Sequence, residues 1–188
     1  MNIKKPKLSN VIFLIGITLL IIPQTRTPIQ VMLHKGLALF GPSIIKAEKR
    51  NVVTNYNWQL QDINGNRFNF QNNKDKIVLI NFWATWCPPC IAEMPNLKEL
   101  HNDYKDKIEF VFISNEKQET VKDFLEDNNY NFKSYVPIST APEMLSVTSI
   151  PRTFLLDKNG NIVIDKTGAS NWNSNKVRNV IDDLINSF

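Results

Sequence analysis

Apolar residues fall along this chain in runs of different rhythm, and each rhythm predicts a different element. From residue 58 onward, strand and helix patterns alternate. Residues 58–62 (Trp-Gln-Leu-Gln-Asp) and 67–70 (Arg-Phe-Asn-Phe) alternate in polarity around Asn64-Gly65, which predicts a hairpin. Ile77-Val78-Leu79-Ile80 is continuously apolar, as in a strand buried on both faces. A helix is expected over 88–104, and Phe110-Val111-Phe112-Ile113 predicts a second buried strand. Val121, Phe124 and Leu125 mark one face of a helix over 119–128. After a looser stretch, apolar runs at 153–156 and 161–164 flank Asp157-Lys158-Asn159-Gly160, a second hairpin with a turn-forming centre. Ser174 is a plausible N-cap for a last helix carrying Val177, Val180, Ile181 and Leu184. Buried strands alternating with helices argue for an α/β sheet covered by helices.

The N-terminal third has another character. Lys4, Lys5 and Lys7 precede an uncharged apolar run over 11–22. The lysines favour the cytoplasmic side and send the rest of the chain outward. The run is short for a bilayer span, and no small-x-small cleavage site follows it, so an uncleaved membrane anchor is expected ahead of a cleaved signal. Ile29, Met32, Leu33, Leu37, Phe40 and Ile44 then recur at helical spacing, which reads as a helix lying in the membrane interface, with His34 on its polar face. Residues 46–57 read as a polar linker. The expected organisation is an anchor or signal over 1–24, an amphipathic segment and linker over 25–54, and a folded domain over 55–188.

Composition narrows the function. With 43% hydrophobic and 21% charged residues, the 188-residue chain suits one soluble domain plus an extra segment. The net charge of +4 owes much to the N-terminal lysines, and no basic stretch is interleaved with aromatics, so nucleic acid is not an expected partner.

The chemistry lies with the two cysteines, Cys87 and Cys90. A bridge between residues three apart closes a tiny loop and adds little by restricting the unfolded chain, so its value is chemical. The string Asn81-Phe82-Trp83-Ala84-Thr85-Trp86-Cys87-Pro88-Pro89-Cys90 places Cys87 where a buried strand hands over to a helix. The unpaired amides and positive dipole end of that helix favour thiolate over thiol. Cys87 is therefore the expected nucleophile, and Cys90, one turn on, the resolving thiol. A zinc site would need two more ligands, and the chain has only His34 and His101. A copper chaperone or a redox-inactive binding module is the alternative reading, with His101 the one histidine within the domain. A peroxidase is less supported, because the usual threonine-before-cysteine motif is incomplete.

These residues resemble the thioredoxin superfamily, and within it the membrane-tethered TlpA-like proteins, relatives of ResA and of the cytochrome c maturation thioredoxins. The resemblance spans about residues 55–188. It rests on Phe82-Trp83-Ala84-Thr85-Trp86-Cys87-Pro88-Pro89-Cys90, on Glu93-Met94-Pro95, and on Ser149-Ile150-Pro151-Arg152-Thr153-Phe154-Leu155-Leu156-Asp157. It implies a thioredoxin-like fold, a central mixed β-sheet flanked by helices, following an N-terminal membrane anchor helix. It implies a thiol–disulfide oxidoreductase, acting as a reductant in the periplasm or its equivalent, with no cofactor beyond the Cys87–Cys90 disulfide. Protein disulfides, with apocytochrome c as one candidate, and an upstream thiol donor or acceptor would be its partners. Pro151 would be a cis proline facing the disulfide, Ile150 would offer backbone groups to an extended partner, and Trp86 would touch that partner. Glu93 would move protons for the cysteines, its pKa raised by partial burial. Two positions depart from the common thioredoxin pattern. Asn81 replaces a buried Asp, which leaves proton handling to Glu93, and Arg152 puts a cation beside the site.

Overall fold

The computed structural model describes residues 7–37 and 40–187. Lys4 and Lys5, and the side chain of Leu37, lie outside what is described. Seven strands form one mixed sheet: β1 (Gln59–Asp62), β2 (Arg67–Asn69), β3 (Val78–Phe82), β4 (Glu109–Ile113), β5 (Ser134–Pro137), β6 (Arg152–Leu156) and β7 (Ile162–Thr167), in the order β2-β1-β5-β4-β3-β6-β7. β3, β4 and β5 run parallel; the remaining pairings are antiparallel. β3 is wholly buried at the centre, as its unbroken apolar run requires, and its C-terminal end delivers the cysteine string.

The helices α3 (Pro88–Tyr104), α4 (Gln118–Asp127) and α5 (Asn175–Asn186) share one face of this sheet. Leu97 and Leu100, Val121 and Leu125, and Val177 and Ile181 bury their stripes in one cluster with Leu79, Phe112 and Leu155. The Ser174 hydroxyl accepts from the Val177 amide, capping α5 as expected. Among the described residues no α-helix packs on the other face. Val53, Tyr56 and Trp58, with Phe70 and Leu145 from short 3-10 turns, pack there on Val78, Ile80, Phe154 and Leu156. The stretch expected as a linker is thus laid against the domain. The Val53 amide donates to Gly160 O, and the Asn51 carbonyl accepts from Ile162.

Near the N-terminus, α1 (Leu8–Ile21) has 14 residues. At about 1.5 Å per residue it is roughly 21 Å long, short of a hydrocarbon core of about 30 Å. Among the described residues no helix is long and apolar enough to cross a membrane. α2 (Pro23–Leu37) follows and lies along α3. Of the stripe expected to face the membrane interface, Met32 and Leu33 are exposed and Ile29 is half-buried, and His34, expected on the polar face, is half-buried with Gln30 and Val31. The helical pattern also stops short of Phe40 and Ile44. The chain there is not helical, and the Phe40 carbonyl accepts from Ser170 Oγ and the Asn171 amide while the Ile45 amide donates to Val163 O. Backbone pairing with the domain overrides the amphipathic period.

Candidate active site

β3 ends at Phe82, and the turn Trp83–Trp86 leads into α3, whose first residues Pro88 and Pro89 need no amide partner. Cys87 is the N-cap, and its Sγ accepts from the Cys90 amide at 3.3 Å. A sulfur in this position receives a helix-terminal N–H that nothing else would satisfy, and negative charge on it is favoured. Cys87 and Cys90 are joined, with an S–S distance of 2.05 Å. Both are buried, Cys87 at 3% and Cys90 at 1% exposure.

Behind the cysteines, β3 and the loop after β7 converge on Glu93, which is 1% exposed on α3. Asn81 Nδ2, from β3, donates to Glu93 Oε1 at 2.8 Å and also to Thr153 Oγ1 on β6. The Ser170 amide and Trp172 Nε1, from the loop after β7, donate to Oε2 at 3.2 and 3.1 Å. Burial pushes this carboxyl up to about 8, and the three donors and the Lys166 charge only partly oppose it. Asn81, an amide, takes no proton itself and holds the Glu93 carboxyl in place. Neither Ser170 nor Trp172 stands out in the sequence. They reach Glu93 across 77 and 79 residues, and one of them acts through its backbone.

On the outer side of the turn, the half-buried Glu116 follows β4. Its carboxylate accepts from the Thr85 amide and the Thr85 hydroxyl, both at 2.7 Å, and from Ser114 Oγ at 3.2 Å. This clamps the turn that carries Trp86, which is 68% exposed. Trp83, by contrast, is buried in the helix-side core.

The Ile150–Pro151 peptide is cis. Ile150 stands between two depressions. One, of about 240 Å3, is lined by Trp83, Trp86, Ile113, Glu116 and Val147. The other, of about 420 Å3, is lined by His34, Pro89, Pro151, Lys166 and residues 167–169.

Arg152 does not serve the site as a cation. Its guanidinium donates twice to Asp165, from Nε to Oδ1 and from Nη2 to Oδ2, both at 2.9 Å, and lies 4.8 Å from the Phe154 ring centre. Alternation along β6 explains this: Thr153 faces Asn81 and Glu93, so its neighbour Arg152 faces the opposite side of the sheet. His101 is wedged edge-on against Phe110 and Phe132 at 5.0 and 5.5 Å, where burial lowers its pKa. Among the described residues no three His, Cys, Asp or Glu side chains are grouped to hold a metal ion.

Residues 51–184 match the Redoxin family model. The chain belongs to the Redoxin family. Within the thioredoxin superfamily this redoxin is of the TlpA/ResA-like kind. The thiol-disulfide oxidoreductase ResA of Bacillus thuringiensis subsp. konkukian is 32% identical to it over 139 residues, 71% of this chain and 79% of that one. The thioredoxin-like protein YneN of Bacillus subtilis is 36% identical over 107 residues, 55% of this chain and 63% of that one. Among solved structures, a DsbF homologue from Corynebacterium diphtheriae superposes with a TM-score of 0.55 at 25% identity, covering 78% of this chain and 92% of that one.

Proposed function

We propose that this redoxin is a thiol–disulfide oxidoreductase that reduces protein disulfides outside the cytoplasm through Cys87 and Cys90. The observation that carries the reading is Cys87 Sγ at the N-cap of α3, accepting the Cys90 amide. In the reduced protein, the Cys87 thiolate attacks one sulfur of a partner disulfide, and the partner's other sulfur leaves as a thiolate and takes up a proton. In molecules whose Glu93 has lost its proton, a minority at neutrality that grows as pH rises through about 8, Cys90 then gives its proton to the Glu93 carboxylate and attacks Cys87 Sγ. The partner's second thiol is released and the Cys87–Cys90 bond forms. Two electrons have passed to the partner, and an upstream dithiol restores the pair. A carboxyl pushed up to about 8 can hold or release a proton near neutrality, which suits Glu93 to the second step. Trp86 beside Cys87, and the backbone of Ile150, are the partner's contacts, the latter by short strand addition.

Anchoring is part of the proposal. Leu8, Ile12, Phe13 and Leu14 on α1, and Met32 and Leu33 on α2, expose apolar side chains that a lipid phase would cover. A tether raises the effective concentration against other membrane proteins, among which apocytochrome c is a candidate by family resemblance alone.

The test pairs Cys87→Ala with Cys90→Ala in the full chain. The first should abolish exchange with a protein disulfide, and the second should accumulate a mixed disulfide through Cys87. If Cys87→Ala keeps its activity, or no mixed disulfide can be trapped, the reading fails. A reduction potential at or below about −250 mV would support the reductant direction, whereas one near −120 mV would reverse it.

A further inference from the structure

The groove on the far side of Ile150 has a charge that the mechanism does not use. In the β6–β7 pairing Thr153 lies opposite Lys166. Directly opposed residues of an antiparallel pair project to the same face of the sheet. Thr153 is bonded to Asn81 beside Glu93, so Lys166 stands on the side of the redox centre, whereas Arg152 and its partner Asp165 project to the other face. Among the described residues Lys166 forms no ion pair. It is half-buried, so its charge is less screened than that of a fully solvated lysine. Glu93 beneath it holds its proton up to about pH 8 and leaves the ammonium uncompensated at neutrality.

The rest of the groove agrees with that charge. Pro89, Ile150, Pro151 and Ala169 make an apolar floor along the cis-proline edge, where an extended backbone can pair. α2 lies along α3 and supplies His34 to the same groove. No carboxylate is among the lining residues. We propose that Lys166, with His34 on the α2 wall, makes this groove a docking site for an extended protein segment that carries carboxylates beside its reacting cysteine. The proposal rests on the reading of Cys87 and Cys90 as an exchange centre, but its test has an arm that does not.

The first arm uses the full-length protein in its reduced state and three peptides. Each has one cysteine capped as a mixed disulfide with 2-mercaptoethanol and flanked by Glu, Gln or Lys. At roughly 10 mM salt the Glu peptide should react about tenfold faster than the Lys peptide, and the ratio should fall to within about threefold at roughly 1 M. Lys166→Gln should lower the ratio to about threefold or less, Lys166→Arg should keep it, and His34→Ala should reduce it by about twofold. The Gln peptide serves as the reference for each variant, so any change in intrinsic reactivity cancels. Equal rates for the Glu and Lys peptides, or a preference unchanged in Lys166→Gln, would overturn the proposal. The second arm measures anisotropy of labelled peptides with serine in place of cysteine, binding to the oxidised protein. The same order of affinities should be seen there, and its absence counts equally against the groove. Exchange failing while this order holds would sink the redox reading and leave the docking site standing.

Discussion

Two glutamates near the redox turn each accept three hydrogen bonds. Glu93, inside, accepts from Asn81 Nδ2, the Ser170 amide and Trp172 Nε1; Glu116, outside, accepts from the Thr85 amide, the Thr85 hydroxyl and Ser114 Oγ. The donor sets are alike in number. The difference is water. Glu93 is shut away from it and Glu116 is half-buried at the rim. Removing a carboxylate from water costs more than three hydrogen bonds restore, so Glu93 is pushed up to about 8 in spite of them. The same side chain thus becomes a proton store on one side of the turn and a clamp on the other.

Glu93→Gln tests that contrast most severely. The Glu93 carboxyl stands at its ordinary 4.5 in the unfolded chain and at about 8 in the folded one. Between those values the native state binds the extra proton, so stability should fall as pH rises through this window and level off above it. The loss is on the order of several kcal/mol. Glu93→Gln should flatten that slope in urea titrations of the oxidised protein, and should remove the inflection near pH 8 from the exchange rate. Parallel stability curves for the variant and wild type would show that Glu93 is not the buried ionisable group described here.

Trp172→Phe comes next. Trp172 Nε1 favours the charged form of Glu93, so its loss should move the inflection upward, with a stability cost of about 2 kcal/mol. An inflection that moved down would mean the indole acts otherwise. Glu116→Gln should cost about 1 kcal/mol in the same urea titration and slow exchange with protein partners. It should leave the inflection where it is, because the clamp governs the position of Trp86 and not a proton. Thr85→Ser keeps both donors to Glu116 and should change stability by less than about 0.5 kcal/mol. A larger loss would give the threonine methyl group a share in the clamp.

Much of the fold was legible because its signals are local. The segments 62–66 and 157–161 share one pattern, Asp-x-Asn-Gly-Asn, and fold identically. In each, the Asp Oδ1 accepts from the amides two and four residues on, and the Gly takes a positive φ, +88° at Gly65 and +79° at Gly160. What surrounds the two turns differs. A Cβ at Gly65 would meet only the end of the Gln61 side chain, at 3.9 Å, while one at Gly160 would collide with Tyr56 Oη and the Val53 carbonyl, both at 2.7 Å. β5 escaped the sequence pattern because it is four residues long, ends in Pro137 and earns its place only by pairing with β1 and β4. Arg152 and Lys166 show the same limit at the site. The pattern marks a cation next to Pro151, but which cation faces the cysteines depends on strand register.

By itself, the sequence determined the buried strand, the proline-started helix and the two sulfurs at their junction, because these follow from backbone propensity and periodicity within about ten residues. Only the tertiary structure decided which groups surround those sulfurs. The donors to Glu93, the clamp on Thr85, the cation at the groove and the α2 wall each join residues far apart in the chain, and only packing brings them within hydrogen-bonding or electrostatic reach.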